Sequence, residues 1–328
     1  MEDSASIERA ARILKAGGLV AFPTETVYGL GADARNAQAV RRIFRAKNRP
    51  ADHPVIVHLE SGDDVKQWAR EIPAVAQRLI EHFWPGPLTL ILQRAPGVID
   101  EVTGGQDTVG VRVPSHPIAR QLLQKFGGAI AAPSANRFGR ISATTAAHVC
   151  EELGGAVDLV LDGGACDVGI ESTIVDLSTG TPRLLRPGGI AVDALEGVMR
   201  VPVARADAGS PRVSGTLAAH YAPRVRMLLI ESGGLEQSVR EHAQNAAVAV
   251  LARRPPPPGI TGVLWHVAGE RARDYAHELY ATLHQLDRSG CELLVVEAPP
   301  AGTDWDAVRD RLQRAATGSG QTDPDDLP

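Results

Sequence analysis

In the first 190 residues, short apolar runs outnumber amphipathic ones, and the two kinds do not alternate. Leu19 to Phe22, Val55 to Leu59, Leu88 to Leu92, Thr108 to Val113, Ala129 to Ala131, Val157 to Leu161, Thr173 to Leu177 and Arg183 to Leu185 read as strands. Residues 6 to 16 read as a helix, with Ile7, Ala10, Ala11 and Leu14 on one stripe and Gly17-Gly18 as its stop. Further helices are expected from an Asn36 cap through Val40, Ile43 and Phe44, over Asp63 to Arg70 and Pro73 to Phe83, from a Ser115 cap to Lys125, and over Thr144 to Leu153. A doubly wound sheet would place a helix between each pair of strands. This pattern instead predicts an α/β domain with a twisted mixed sheet and flanking helices.

The composition shifts after residue 199. Val201 to Pro223 carries Pro202, Gly209, Ser210, Pro211, Ser214, Gly215 and Pro223 without periodicity, which reads as a linker. Strands are expected at Arg226 to Ile230, Ala247 to Leu251, Val263 to Val267 and Leu293 to Val296. Helical stretches (Leu235 to Gln244, Glu270 to Arg288, Asp304 to Ala315) separate most of them, giving a smaller β/α domain. The expected organisation is therefore 1–199, a linker over 200–223, a second domain over 224–317, and a polar, disordered tail over 318–328.

Composition narrows the function classes. No apolar run approaches the roughly 18 residues of a membrane span, and the acidic start Met1-Glu2-Asp3-Ser4 lacks the core of a secretory signal. The three cysteines, Cys150, Cys166 and Cys291, are scattered, which fits neither a disulfide framework nor a zinc site and predicts a cytoplasmic protein. A net charge of -5 disfavours a globally basic nucleic-acid binder. Locally the balance reverses: no acid lies between Asp33 and Asp52, where Arg35, Arg41, Arg42, Arg45, Lys47 and Arg49 all fall.

Chemistry-bearing blocks sit at strand ends. Phe22-Pro23-Thr24-Glu25-Thr26-Val27-Tyr28-Gly29-Leu30-Gly31 runs from a strand into a turn that can hold a small polar ligand, or can be an ordinary turn with capping threonines. Lys47 and Arg49 leave a helix end that Pro50 breaks, and they suit a polyphosphate as well as they suit a solvated helix terminus. His53 and His58 follow without a carboxylate or thiol at ligand spacing, so no metal site is expected there. Arg112, inside the apolar strand Gly110-Val111-Arg112-Val113, needs a partner: a structural carboxylate or a carboxylate ligand. Ala131-Ala132-Pro133-Ser134-Ala135-Asn136-Arg137-Phe138-Gly139-Arg140-Ile141-Ser142 resembles an anion-binding turn, although G-x-x-x-x-G-K-[ST] is absent. Glu171-Ser172-Thr173, Arg186-Pro187-Gly188 and His220-Tyr221-Ala222-Pro223 complete the set. Cations and hydroxyls without a nucleophile–base pair suit nucleotidyl or phosphoryl transfer better than covalent catalysis.

Taken in order, Pro23-Thr24-Glu25-Thr26-Val27-Tyr28-Gly29-Leu30, Lys47-x-Arg49-Pro50 and Ser134-x-Asn136 resemble the signature of the YrdC-domain family. The linker and the C-terminal Rossmann-like β/α domain are similar to the long, two-domain threonylcarbamoyl-AMP synthase branch of that family. The resemblance implies a reaction joining ATP, L-threonine and bicarbonate or CO2 to give threonylcarbamoyl-AMP and pyrophosphate. The product would pass to the machinery that makes threonylcarbamoyladenosine in tRNA. It implies Mg2+ carried by ATP, threonine held by Thr26, His58, Arg112, the Ala132 backbone and Ser172, and ATP held by Arg49, His53, Thr108, Ser134, Ser142, Arg186 and Tyr221. Lys47, Arg49, Ser134 and Asn136 would carry the catalytic signature.

The chain departs from the family in two places. Where the family's linker carries a Pro-Gly-Met-Lys-like stretch, this chain reads Ser214-Gly215-Thr216-Leu217, and position 53, often asparagine, is His53, which would make ATP affinity pH-dependent. Two other readings stand beside the synthase. One is a double-stranded RNA-binding module, against which the net charge and an aromatic content of 4% weigh, leaving weak RNA binding. The other is a relative that uses carbamoyl phosphate, which lacks support in the threonine-pocket residues.

Overall fold

The computed structural model describes residues 4–320. The chain divides into two compact units, one running through Phe138 and then over Ser142–Thr216, the other comprising Gly139–Ile141 and the chain from Leu217 onward. The segment expected as a linker is thus shared between them.

The first unit carries strands β1 (Val20–Phe22), β2 (Gly29–Asp33), β3 (Ile56–His58), β4 (Leu88–Gln93), β5 (Thr108–Arg112), β6 (Ile130–Ala131), β7 (Leu159–Val160), β8 (Thr173–Asp176), β9 (Arg183–Arg186) and β10 (Ala204–Arg205). They form one mixed sheet in the order β10-β9-β8-β4-β5-β3-β6-β2-β1-β7. Helices α1 (Ser4–Lys15), α2 (Ala37–Lys47), α3 (Ala74–Phe83), α4 (Asp100–Thr103), α5 (Pro117–Phe126), α6 (Ala146–Leu153) and α7 (Val192–Met199) flank it. The expected mixed sheet with flanking helices is what the chain forms.

Several local expectations are corrected. β2 was hidden in a glycine-rich stretch that reads as a turn. Its glycines are required by packing, since a Cβ on Gly31 would lie 2.7 Å from Ile130 and 2.8 Å from Phe22. Asp63 to Arg70 is not an α-helix but a short 3-10 turn over Gly62–Gln67. The cap of α5 is His116, whose Nδ1 accepts from the Ile118 N–H, while the Ser115 N–H goes to Glu25. α7 and the short β10 carry no strong pattern and were not anticipated.

The second unit has β11 (Arg226–Ile230), β12 (Val248–Ala252), β13 (Leu264–Val267) and β14 (Leu293–Glu297), with α8 (Leu235–His242), α9 (Ala272–Asp287) and α10 (Asp306–Gly318). The strands are all parallel, in the order β11-β14-β12-β13. Gly318 and Ser319, expected in the tail, are instead part of the fold: Gly318 closes α10, and the Ser319 hydroxyl accepts from the Met227 N–H. The rest of that tail, residues 321–328, lies outside the described residues.

Candidate active site

Strand alternation builds the site. On β3, β4, β5 and β8 the residues Val57, Leu88, Leu90, Leu92, Val109, Val111 and Val175 enter one hydrophobic core. Their neighbours, Ile56 and His58, Thr89 and Ile91, Thr108, Gly110 and Arg112, and Ile174, therefore share the opposite face. That face carries the chemistry over an apolar floor: Ile91 and Ile174 cluster with Leu185 and Val213, with Ile56 packed beside them. Ile56, Ile91, Ile174 and Val213, with Thr108, Gly110, Arg212 and Ser214, line a narrow cleft of about 10 Å³.

Arg112 ends β5 with its side chain 4% exposed. It forms an ion pair with Glu25 (Nη2 to Oε1 2.7 Å), and its Nη1 donates to the Thr26 hydroxyl at 2.9 Å and its Nε to the Gly86 carbonyl at 3.2 Å. Glu25 and Thr26 come from the turn after β1, where the Thr24 hydroxyl bonds Thr26 at 2.8 Å and donates to the Val27 carbonyl at 2.6 Å. Burial acts to raise the Glu25 pKa, but the Arg112 charge and its hydrogen bond outweigh it and hold the carboxyl below its usual range. Glu25 was part of the sequence motif without a role. Its signal was a lone acid between two threonines upstream of an arginine in an apolar strand.

His58 pairs with Arg112 across β3 and β5. Burial first, and the Arg112 charge second, push its pKa down to about 3. The folded value lies below the usual ~6.5, so the unfolded chain binds the proton first as pH falls. Stability should drop from about pH 6.5 toward 3, on the order of 2 kcal/mol by pH 4.5 from this one group. His58→Gln should flatten that part of a urea-unfolding profile; an unchanged slope would mean that His58 is protonated in the folded state.

The basic run separates by direction. Arg41 pairs with Glu101 and Arg42 with Asp158 at 2.8 Å, on the surface. Lys47 and Arg49 turn inward. α2 ends with Asn48 in the left-handed region (φ 51) and the Arg49 N–H on the Phe44 carbonyl, a turn that reverses the chain and aims both cations at the sheet. Lys47, 1% exposed, donates to the backbone carbonyls of Ser134 (2.7 Å) and Asn136. Burial, then Arg49, hold its pKa well below that of a free lysine. Arg49 donates through Nη2 to the Pro54 carbonyl (2.9 Å) and the Ser214 hydroxyl (3.1 Å), and lies over the Phe138 ring, whose edge also meets His53 at 5.4 Å. Burial, then Arg49, lower the His53 pKa, so the proposed pH dependence of nucleotide binding moves below the usual histidine range.

The blocks Glu171-Ser172-Thr173 and Arg186-Pro187-Gly188 are packing mates. Arg186 donates to the Ser172 carbonyl through Nε and Nη2 (3.1 and 3.0 Å), to the Ser172 hydroxyl (3.1 Å), and through Nη1 to the Ser214 carbonyl (2.8 Å). A Cβ on Gly188 would stand 2.3 Å from the Thr173 nitrogen, so only glycine lets the two loops meet. The Ser172 hydroxyl also bonds Thr89 at 2.8 Å, and the Ser142 hydroxyl donates to Glu171 at 2.5 Å. The Ala132 N–H is held by the Ile56 carbonyl (2.9 Å), which leaves only its own carbonyl for a ligand. Thus Thr26, His58, Arg112, Ser172, Arg186, Arg49, Thr108, Ser134, Lys47 and Asn136 all belong to the first unit. Ser214, from the expected linker, ties Arg49 and Arg186 together and was missed because a serine in a polar loop carries no signal.

Tyr221 belongs to the second unit. Its ring is 1% exposed, 5.7 Å from Tyr280 and under the Arg311 guanidinium at 5.2 Å, with a backbone φ of 60. Among the described residues no cluster of three or more His, Cys, Asp or Glu could hold a metal ion, and no helix is long and apolar enough to cross a membrane.

Comparison with known proteins covers nearly the whole chain. Residues 12–188 match the Sua5/YciO/YrdC family described as "Telomere recombination", and residues 190–317 match the family described as "Threonylcarbamoyl-AMP synthase, C-terminal domain". The chain is 39% identical to the threonylcarbamoyl-AMP synthase of Pyrococcus abyssi over 94% of both chains, and 37% identical to that of Bacillus subtilis over 95% of this chain and 93% of the other. The crystal structure of P. abyssi Sua5 complexed with L-threonine superposes with a TM-score of 0.90 at 35% identity, covering 97% of this chain and 96% of that one.

Proposed function

The chain belongs to the two-domain threonylcarbamoyl-AMP synthase family, an ATP-using enzyme family, and from that premise we propose how its first unit divides the chemistry. The observation that carries the reading is the shared sheet face. His58, Thr89 and Arg112 rise from it beside an apolar floor, and Arg49 and Arg186 converge over it on Ser214.

L-Threonine is held at the Arg112 end. Three of the five guanidinium N–H groups are taken by Glu25, Thr26 and Gly86, and two remain for the substrate carboxylate. Glu25 and Thr26 fix the plane of the guanidinium. His58, kept neutral, and the Ser172 hydroxyl are placed to read the substrate's hydroxyl and amine, with the Ala132 carbonyl opposite. ATP lies across the floor with its phosphates toward Lys47, Arg49, Ser134 and Asn136. Thr108, Ser142, His53 and Arg186 bound the nucleotide, and its oxygens take over the arginine hydrogen bonds that Ser214 now accepts. Mg2+ arrives bound to the nucleotide.

The threonine amine first adds to CO2, supplied directly or by dehydration of bicarbonate, and loses one N–H proton to solvent as the carbamate forms. A carbamate oxygen then attacks the α-phosphorus and pyrophosphate leaves, taking the electrons of the broken P–O bond. Lys47 and Arg49 offset that charge. Burial lowers the Lys47 pKa, and phosphate oxygens beside it would act in the opposite direction. The product feeds threonylcarbamoylation of adenosine in tRNA.

Pyrophosphate should be released only when ATP, L-threonine and a carbonate source are all present. Equal release without threonine would remove the synthase reading. Release that requires carbamoyl phosphate would favour the carbamoyl-transfer relative.

A further inference from the structure

The second unit has its own polar centre. The crossover from β11 through α8 to β12 passes over β14, and the one from β13 through α9 to β14 returns in the opposite direction. Right-handed crossovers place α8 and α9 on opposite faces of the sheet. Leu235 and Val239 of α8 accordingly pack on Val248, Val250, Val295 and Leu293, while α10 contacts α9 and β11. The helices that follow the adjacent strands β11 and β14 therefore leave to opposite faces. That is the switch point at which open parallel sheets bind ligands, outside the carboxyl ends of the strands.

Polar residues gather at that edge. Ser232 follows β11, Glu297 ends β14, and Arg253 and Arg254 follow β12. Glu297, 2% exposed, is already satisfied: Oε1 accepts from the Ser232 hydroxyl at 2.6 Å and Oε2 from the Arg253 N–H at 2.8 Å. The two guanidiniums form only long ion pairs with it, Arg253 Nη2 at 3.8 Å and Arg254 Nε at 3.7 Å from Oε1, and Arg254 Nη2 donates to the Ser232 carbonyl at 2.6 Å. Arg253 stacks on Trp305 with its Cζ 5.7 Å from the ring centre, and its buried Nε meets no acceptor in the protein. The Tyr275 hydroxyl, on a side chain with no exposure, also meets none. The Tyr275 ring lies edge-on to the same Trp305 at 5.7 Å. Burial, and then the charges of Glu297 and Glu278, raise its pKa, so the phenol stays protonated as a donor. Two buried donors without an acceptor, and two cations facing one carboxylate, define what is missing: an acceptor-rich anion.

We propose that this edge binds a small oxyanion of the phosphate class, held by Arg253, Arg254 and the Tyr275 hydroxyl. A tetrahedral anion can accept from Arg253 Nε and the phenol on one side and from Arg254 on the other. The turn Ser232–Gly234 into the eight-residue α8 adds the positive end of a helix. The site is built from residues of the second unit alone, so the inference does not depend on the reaction assigned to the first.

Labelled inorganic phosphate, titrated into the full chain with the first unit's nucleotide site saturated by a non-hydrolysable ATP analogue, tests it. One saturable site per chain is expected. Arg253→Gln should weaken it at least tenfold and Tyr275→Phe about threefold. Both variants should keep their thermal unfolding midpoint, and their pyrophosphate release in phosphate-free buffer should stay within twofold of the parent. No saturable binding, or binding that Arg253→Gln leaves unchanged, would overturn the proposal; in either case the two donors are served by water.

Discussion

Arg112→Lys should raise the KM for L-threonine on the order of fiftyfold and leave the KM for ATP within a few-fold. Lysine keeps the charge and loses the planar fork. In the folded chain that fork engages Glu25, Thr26 and Gly86 and leaves two N–H groups for a ligand. An ammonium has three donors. It can hold Glu25 and one neighbour, but not those and a second carboxylate in one plane. Losing charge-assisted hydrogen bonds worth roughly 2–3 kcal/mol corresponds to about 30- to 150-fold. Because the pair is buried, Arg112→Ala is a poor test: it strands Glu25 and can unfold the unit by roughly 3–5 kcal/mol. A rise confined to the ATP constant in the lysine variant would place Arg112 at the phosphates. Glu25→Gln separates positioning from binding. It should raise the threonine KM less than Arg112→Lys does, since the fork survives while its orientation loosens.

Tyr221→Ala should destabilise the second unit by roughly 3–5 kcal/mol, the usual cost of truncating a buried aromatic. The ring is 1% exposed and packs on Tyr280 and beneath Arg311. A lid that closes over nucleotide would be truncated without cost to the melting temperature. Thermal unfolding therefore separates a freely moving lid from a packed anchor. Tyr221→Phe isolates the hydroxyl. A raised KM for ATP with an unchanged midpoint would assign the hydroxyl to the nucleotide. An unchanged KM with a lowered midpoint would confine Tyr221 to packing.

The residue order of the sequence determined the α/β character and most strands of both units, and it supplied most of the side chains proposed for the site. Period-two alternation in Thr108 to Val113 and the apolar run at Leu88 to Leu92 suffice for strands, because β-branched and aliphatic residues there have one buried face to fill. The Asn36 cap and the Pro50 break mark the ends of a helix by local chemistry alone, and Asn36 Oδ1 does accept from the Gln38 and Ala39 amides. What the residue string could not determine is which of two valid partners a polar group takes. In sequence Arg112 favoured a salt bridge over a ligand contact without naming its partner, and tertiary structure put Glu25 at 2.7 Å by bringing the β1–β2 turn against the end of β5. Lys47 and Arg49 read equally as a polyphosphate site or a solvated helix end until the loops beside β6 and β3 supplied the Ser134 and Pro54 carbonyls. β2 escaped notice because its glycines answer to Phe22 across the β1–β2 pairing and to Ile130 far along the chain. The same holds for Ser214 on Arg49 and Arg186, and for the cluster around Glu297, which three strands and a helix assemble from residues that are unremarkable apart. Local order specifies elements through short-range sterics and capping. Ion pairs and sites depend on contacts between segments far apart in the chain, and only the folded backbone decides those.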